Sequence, residues 1–223
     1  MEQGSAGGER RVVLFDFDGV LVRGDTFGMF VRDRYARDWW RKVLALLAVP
    51  WLLLVLPFSR RRALRVLVRI GLMGVDERRY RELAEAFAVT LAHRSRQFHR
   101  DGLQALRRHQ VTGDRIVVVT GCEEILALGV LAELGLPDVE VLASRLCAGR
   151  FGLRPAWHNV GRRKVESLAR QGIDAWHLAY SDSSQDLPML ALATEPVLVN
   201  ATPKLCKRVE KALGRSVTRV EWR

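Results

Sequence analysis

The sequence predicts an α/β fold: a parallel sheet with helices on both faces, interrupted by an all-helical insertion. Three observations predict it. Short apolar runs recur as strand candidates at 11–15, 115–119, 139–142, 176–180 and 196–199. Helical patterns separate several of them, at 123–134, 161–170 and 187–193. From about Gly24 to Arg100 the alternation stops, and the chain is rich in Leu, Ala and Arg with no convincing strand. Apolar runs alternating with helices give a Rossmann-like sheet, whose chemistry gathers at the carboxyl ends of its strands. The expected organisation is a discontinuous core, residues 11–23 and 101–223, with a helical cap over 24–100. Residues 1–10, rich in Gly, read as a flexible tail.

With 223 residues and 48% hydrophobic content, the chain can form one large or two small domains, and general disorder is excluded. The net charge of +11, from 36 basic and 25 acidic residues, implies an anionic partner. No nucleic-acid motif accompanies that charge, so a phosphorylated substrate and an anionic membrane surface are the expected partners. Cys122, Cys147 and Cys206 show neither a disulfide framework nor a metal-ligand spacing, which favours a reducing compartment. The histidines likewise lack metal-ligand spacing. No secretory signal is expected, because the first apolar run is short and leads straight into Asp16.

Taken in order, the elements carry four clusters of polar residues. The first strand, Val12-Val13-Leu14-Phe15, ends in Asp16-Phe17-Asp18-Gly19. Two carboxylates so close repel and raise one another's pKa, so they need a cation or a proton between them. A hard divalent cation such as Mg²⁺ would serve. The pair suits phosphoryl chemistry, in which one carboxylate attacks phosphorus and the other handles the leaving-group proton. The second cluster is Thr120-Gly121, closing the strand Ile116–Val119, where a hydroxyl and a flexible amide suit a phosphate oxygen. Phe151-Gly152-Leu153 suggests a short hairpin. Third is Lys164, near the start of a helical stretch, where an ammonium could neutralise a phosphate. The fourth, Ser181-Asp182-Ser183-Ser184-Gln185-Asp186, offers two acids in a loop that could hold a metal. Singly, each has an ordinary alternative: an acidic turn, a strand-end turn, a surface lysine, a helix cap.

Inside the cap, Val43 to Leu56 is wholly apolar apart from Pro50. Trp39-Trp40-Arg41-Lys42 precedes it and Arg60-Arg61-Arg62 follows. As straight helix it reaches about 21 Å, short of a hydrocarbon core of roughly 30 Å. A full span is not expected, and basic flanks on both sides place both ends at the cytoplasmic face. Two readings stay open: a shallow or re-entrant membrane insertion bent at Pro50 over 43–58, or a buried hairpin of cap helices.

The order of the four clusters resembles the haloacid dehalogenase superfamily of aspartate-nucleophile phosphatases, in its phosphoserine-phosphatase-like branch. That resemblance implies Asp16 as nucleophile, Asp18 as general acid/base, and Thr120 with Gly121 as phosphate binders. It implies that Lys164 neutralises an aspartyl-phosphate. It implies a Mg²⁺ held by Asp16, the Asp18 backbone carbonyl and Asp182, with Asp186 supporting both metal and lysine. Val20 and Ser181 stand where the family more often has threonine and glycine. The first motif, Asp25-Thr26-Phe27-Gly28-Met29-Phe30 and the apolar stretch together resemble the bacterial phosphatidylglycerophosphatase C family. This implies dephosphorylation of phosphatidylglycerophosphate at the cytoplasmic face of the inner membrane. The alternatives are a cytoplasmic small-metabolite phosphatase, such as one for phosphoserine, and a non-catalytic phosphate- or nucleic-acid-binding protein.

Overall fold

The structure, a computed structural model, describes residues 10–223, without the side chains of residues 60 and 61. The expected tail therefore lies outside the described residues except for Arg10, as do the side chains of two of the three arginines that follow the apolar stretch.

Among the described residues seven strands form one sheet, in the order β4-β3-β2-β1-β5-β6-β7. They are β1 (Val12–Phe15), β2 (Arg115–Glu123), β3 (Glu140–Gly149), β4 (Gly152–Trp157), β5 (Trp176–Ser181), β6 (Ala193–Val199) and β7 (Thr218–Val220). All neighbours pair in parallel except β3 and β4, which form a hairpin. β1 is central, and its uninterrupted apolar sequence suits a strand covered on both faces.

Alternation along the central strands separates two cores. Val13, Phe15, Ile116 and Val118 face one side, while Leu14, Val117 and Val119 face the other. The second side is covered by α7 (Arg162–Arg170), α8 (Leu187–Leu192) and α9 (Pro203–Leu213), through Leu168, Leu190 and Val209. The first is covered by α5 (Arg100–Val111) and α6 (Glu124–Glu133), through Leu106, Leu126 and Val130.

Residues 26–92 form four helices: α1 (Thr26–Arg37), α2 (Trp39–Val55), α3 (Arg60–Gly71) and α4 (Glu77–Ala92). They divide into two pairs. Phe30 of α1 and Tyr80 and Phe87 of α4 belong to the first core, and both rings of α4 meet Phe30 edge-on. The α2–α3 hairpin meets that core through Val68 of α3, whereas most of α2 is exposed. Its base is fastened by Arg41, which donates to the Ile70 carbonyl and to Asp38, and by the Tyr35 hydroxyl on the Leu67 carbonyl.

Several details differ from expectation. β2 continues through Thr120 and Gly121 to Glu123 instead of ending at Val119, with a register shift that lets the strand accommodate the motif. The hairpin after β3 is longer than expected, and its tip reaches the loop between α3 and α4. There the Gly74 N–H donates to the Phe151 carbonyl. Gly152 has φ +122, and a Cβ on it would lie 2.3 Å from the Leu72 carbonyl oxygen, so only glycine permits this contact. The apolar stretch does not bend back at Pro50. α2 runs through that proline as one helix, and the chain turns only at 56–59. Among the described residues no helix is long and apolar enough to cross a membrane.

Candidate active site

β1, flanked by β2 and β5, brings three of the four clusters to one edge of the sheet. Asp16 follows β1, Thr120 lies late in β2, and Asp182 follows β5. The fourth arrives on the first turn of α7, where Lys164 is 2% exposed.

The Lys164 ammonium lies 3.0 Å from Asp16 Oδ1 and 2.8 Å from Asp186 Oδ2. Burial pushes the lysine pKa down, but the two carboxylates outweigh it and hold it above its ordinary value. Asp16 Oδ1 also accepts the Phe17 N–H at 2.7 Å. Burial raises Asp16 well above the usual carboxylate range, against the opposing pull of Lys164. Asp186 is buried and accepts a second bond, from Ser181 Oγ at 2.7 Å. Serine at 181 thus has a local use: its hydroxyl fixes the carboxylate that orients the lysine.

Asp18 is held differently. Its Oδ1 accepts both the backbone N–H and the hydroxyl of Thr26, at 2.9 and 2.5 Å. Burial pushes its carboxyl up to about 6, with the Thr26 bonds opposing the rise. Thr26 is fully buried at the start of α1, so the helical insertion itself positions this carboxyl. Thr120 is also fully buried, and its Oγ1 accepts the Cys122 N–H at 2.9 Å. A hydroxyl that accepts this bond keeps its own proton for another partner.

Among the described residues no three His, Cys, Asp or Glu side chains stand close enough to hold a metal by themselves. The residues expected around a metal are Asp16, the Asp18 backbone carbonyl and Asp182, with Asp186 in support. Thr26 occupies the Asp18 carboxylate, while Lys164 and Ser181 occupy that of Asp186. Asp16 Oδ2, Asp182 and the Asp18 backbone carbonyl could serve as donors. Gly19 makes room for this set: with φ +77, it lies where a Cβ would come within 1.9 Å of Asp182 Oδ2. Burial raises Asp182 as well, followed by the charge of Asp186. Three carboxyls sharing one ammonium leave excess negative charge, and the donors are all oxygen. Both properties fit a hard divalent cation such as Mg²⁺.

Reading the sequence does not single out Thr26, Glu123, Ser144 or Asn159. Glu123 accepts the buried Tyr80 hydroxyl at 2.6 Å, joining α4 to the end of β2. Asp25-Thr26 at a helix start was the available signal for one of them, since Asp25 caps α1. The other three depend on contacts distant in sequence. Cys122 is a buried packing residue beside the site, and burial raises its thiol.

An aspartate at the end of the central strand, ion-paired to a buried lysine and beside further carboxylates, is suited to hydrolytic chemistry on an anionic substrate. The chain belongs to the haloacid dehalogenase-like hydrolases, a family that matches residues 13–191. It is 28% identical over 203 residues to protein CicA of Caulobacter vibrioides, covering 86% of this chain and 87% of that one. The fold is similar to that of a Bordetella pertussis protein of unknown function, with TM-score 0.69, 20% identity and coverage of 94% and 99%. It is also similar to a substrate-bound phosphoserine phosphatase, with TM-score 0.59, 17% identity and coverage of 96% and 93%.

Proposed function

We propose that this protein is a Mg²⁺-dependent phosphomonoesterase that works through an aspartyl-phosphate on Asp16. The observation that carries the reading is the contrast between Asp16, paired to Lys164, and Asp18, tied to Thr26 and raised to about 6. Two carboxyls two residues apart are given separate tasks by their surroundings.

With Oδ1 held by Phe17 N–H and Lys164, Asp16 attacks phosphorus through Oδ2. As that P–O bond forms, the ester P–O bond breaks, and Asp18 gives its proton to the departing oxygen. Asp18, now ionised, takes a proton from water, whose oxygen attacks the phosphorus. As that oxygen bonds to phosphorus, the Asp16 Oδ2–P bond breaks, which releases inorganic phosphate and regenerates Asp16. Thr120 and the Gly121 amide hold the phosphoryl oxygens, and Lys164 balances their charge. A bound Mg²⁺ would add charge neutralisation at the phosphoryl group. Residues 24–100 act as a cap over a core formed by 11–23 and 101–223.

For the substrate we propose an anionic lipid phosphate, phosphatidylglycerophosphate by family resemblance, met at the cytoplasmic face of a membrane. The support is the outer face of α2. Leu46, Leu47, Leu53 and Leu54 are 70, 71, 64 and 71% exposed, and Phe58 just beyond is 89% exposed. Apolar patches of this kind mark interaction surfaces. Lys42, Arg62, Arg65 and Arg69 are exposed on the same two helices, complementary to an anionic surface. The alternative, a small-metabolite phosphatase, draws support from the phosphoserine phosphatase-like fold.

A panel of lipid and soluble phosphomonoesters, assayed with Mg²⁺ and with chelator, tests both parts. Phosphate release that survives excess chelator rules out the metal. Wild type should sediment with anionic liposomes, and replacing Leu46, Leu47, Leu53 and Leu54 by Ser should release it while p-nitrophenyl phosphate turnover persists. A folded, active wild type that ignores liposomes overturns the lipid reading. Self-association lost in the same variant would assign the face to a second copy instead.

A further inference from the structure

A continuous polar connection runs from Thr120-Gly121 at the end of β2 to the helix that carries Lys164, and no role assigned above uses it. It begins at the Gly121–Cys122 peptide, which is pinned on both sides. Its N–H donates to Thr120 Oγ1 at 2.9 Å, and its carbonyl accepts from Ser144 Oγ at 2.7 Å. Ser144 Oγ in turn accepts the Asn159 backbone N–H at 2.9 Å. Asn159 has no exposed surface. Its Nδ2 donates to the Leu142 carbonyl at 2.8 Å, and its Oδ1 accepts from Ser167 Oγ at 2.8 Å. Ser167 lies three residues beyond Lys164 on α7, on the same side of the helix.

Each group in this chain has its hydrogen-bonding capacity directed. The single Ser144 proton goes to Gly121, and a lone pair goes to Asn159. The two halves of the Asn159 carboxamide meet an acceptor and a donor, a combination that neither aspartate nor leucine supplies. His158 Nδ1 stands 3.3 Å from Ser144 Oγ, at the exposed end. A peptide fixed at both its N–H and its carbonyl cannot rotate, so the Thr120 hydroxyl it touches keeps one direction.

We propose that Ser144, Asn159 and Ser167 are positioning residues. Ser144 aims the Thr120 hydroxyl, and Asn159 with Ser167 sets the spacing between that hydroxyl and Lys164. This rests on the phosphate-binding role of Thr120 and the charge-neutralising role of Lys164 given above. The hydroxyl meets the phosphoryl group before and during reaction, so losing its aim raises KM. The lysine position matters most when negative charge develops, so losing the spacing lowers kcat.

A double-mutant cycle tests the proposal, with inorganic phosphate as competitive inhibitor and p-nitrophenyl phosphate as substrate. Thr120→Val should raise the phosphate Ki about tenfold, and Ser144→Ala should raise it by a similar factor. Thr120→Val combined with Ser144→Ala should match Thr120→Val alone, because Ser144 acts through Thr120. A purely structural serine would weaken phosphate equally in both backgrounds, and that additivity overturns the proposal. An unchanged Ki in folded Ser144→Ala overturns it too. If Thr120→Val itself leaves the Ki unchanged, the phosphate-loop reading is what fails. Ser167→Ala removes only the far end of the connection and supplies a second measurement should Ser144→Ala not fold. It should lower kcat several-fold with KM nearly unchanged, and unchanged kcat refutes the spacing role.

Discussion

The carboxyl edge of the sheet and the α2–α3 hairpin meet water in opposite ways. At the sheet edge, charged groups are withdrawn from solvent: Asp16, Lys164 and Asp186 are all buried. On the hairpin, leucines, tryptophans and a phenylalanine are left exposed. Burying a charge is costly unless a partner stands beside it, and the sheet edge supplies those partners from within the chain. Exposing apolar surface is costly too, yet no described residue covers the outer face of the hairpin. One region hides its charges in pairs, and the other leaves its apolar side chains in the open.

The sharpest way to break this comparison is at the proposed nucleophile. Asp16→Asn should lower phosphate release by at least about a thousandfold, with circular dichroism unchanged. Near-normal turnover in the folded variant would remove covalent chemistry from the site. Next in size is the loss of charge balance. Lys164→Met leaves Asp16 and Asp186 without their cation and should cost about 3–5 kcal/mol of stability, read from urea midpoints. Adding Asp186→Asn should recover part of that loss. A Lys164→Met protein as stable as wild type would mean that charge pairing does not hold the site together.

A smaller effect is expected at the link between α4 and the sheet. Burial raises the Glu123 carboxyl above its ordinary 4.5, against the lowering effects of Tyr80 and Leu126. A raised carboxyl binds its proton more tightly in the folded chain than in the unfolded one. Its contribution to stability is therefore lost as pH rises from about 4.5 through the folded value. Glu123→Gln removes that slope, so urea unfolding at pH 4 and pH 7 should show the variant gaining relative to wild type at the higher pH. A pH-independent difference would count against a buried, titrating Glu123.

The smallest effect sharpens the contrast. Replacing Leu46, Leu47, Leu53 and Leu54 by Ser changes four large apolar residues, yet each site should alter stability by no more than about 0.5 kcal/mol. A substantial loss would mean that the outer face packs against this chain after all. Leu52 is a poor probe of that face, because it is half-buried on the side turned inward.

Much of the sheet edge was legible in the sequence because strand ends are local. Asp16, Thr120 and Asp182 each sit within a few residues of an apolar run, and parallel strands bring their carboxyl ends together. The helices of 26–92 were likewise legible from composition. What escaped were elements with weak patterns, α5, α9 and β7, and side chains whose partners are remote. Tyr80 and Glu123 are 43 residues apart, and Thr26 is eight from Asp18. Lys164 carried no sign that it would be buried, since its neighbours Arg162 and Arg163 are exposed. The apolar stretch was visible as composition, but its direction was not. Both faces of α2 are apolar, so periodicity alone does not say which side packs on α3.

The base of the α2–α3 hairpin has a consequence for how such a chain can change over generations. The segment leaves the body at Asp38 and returns at Ile70, and Arg41 ties the two points together through one carboxylate and one carbonyl. Neither of the hydrogen bonds that hold Asp18 to Thr26 involves a residue beyond that knot. Changes to the hairpin beyond the knot should therefore leave the Asp18–Thr26 pairing in place.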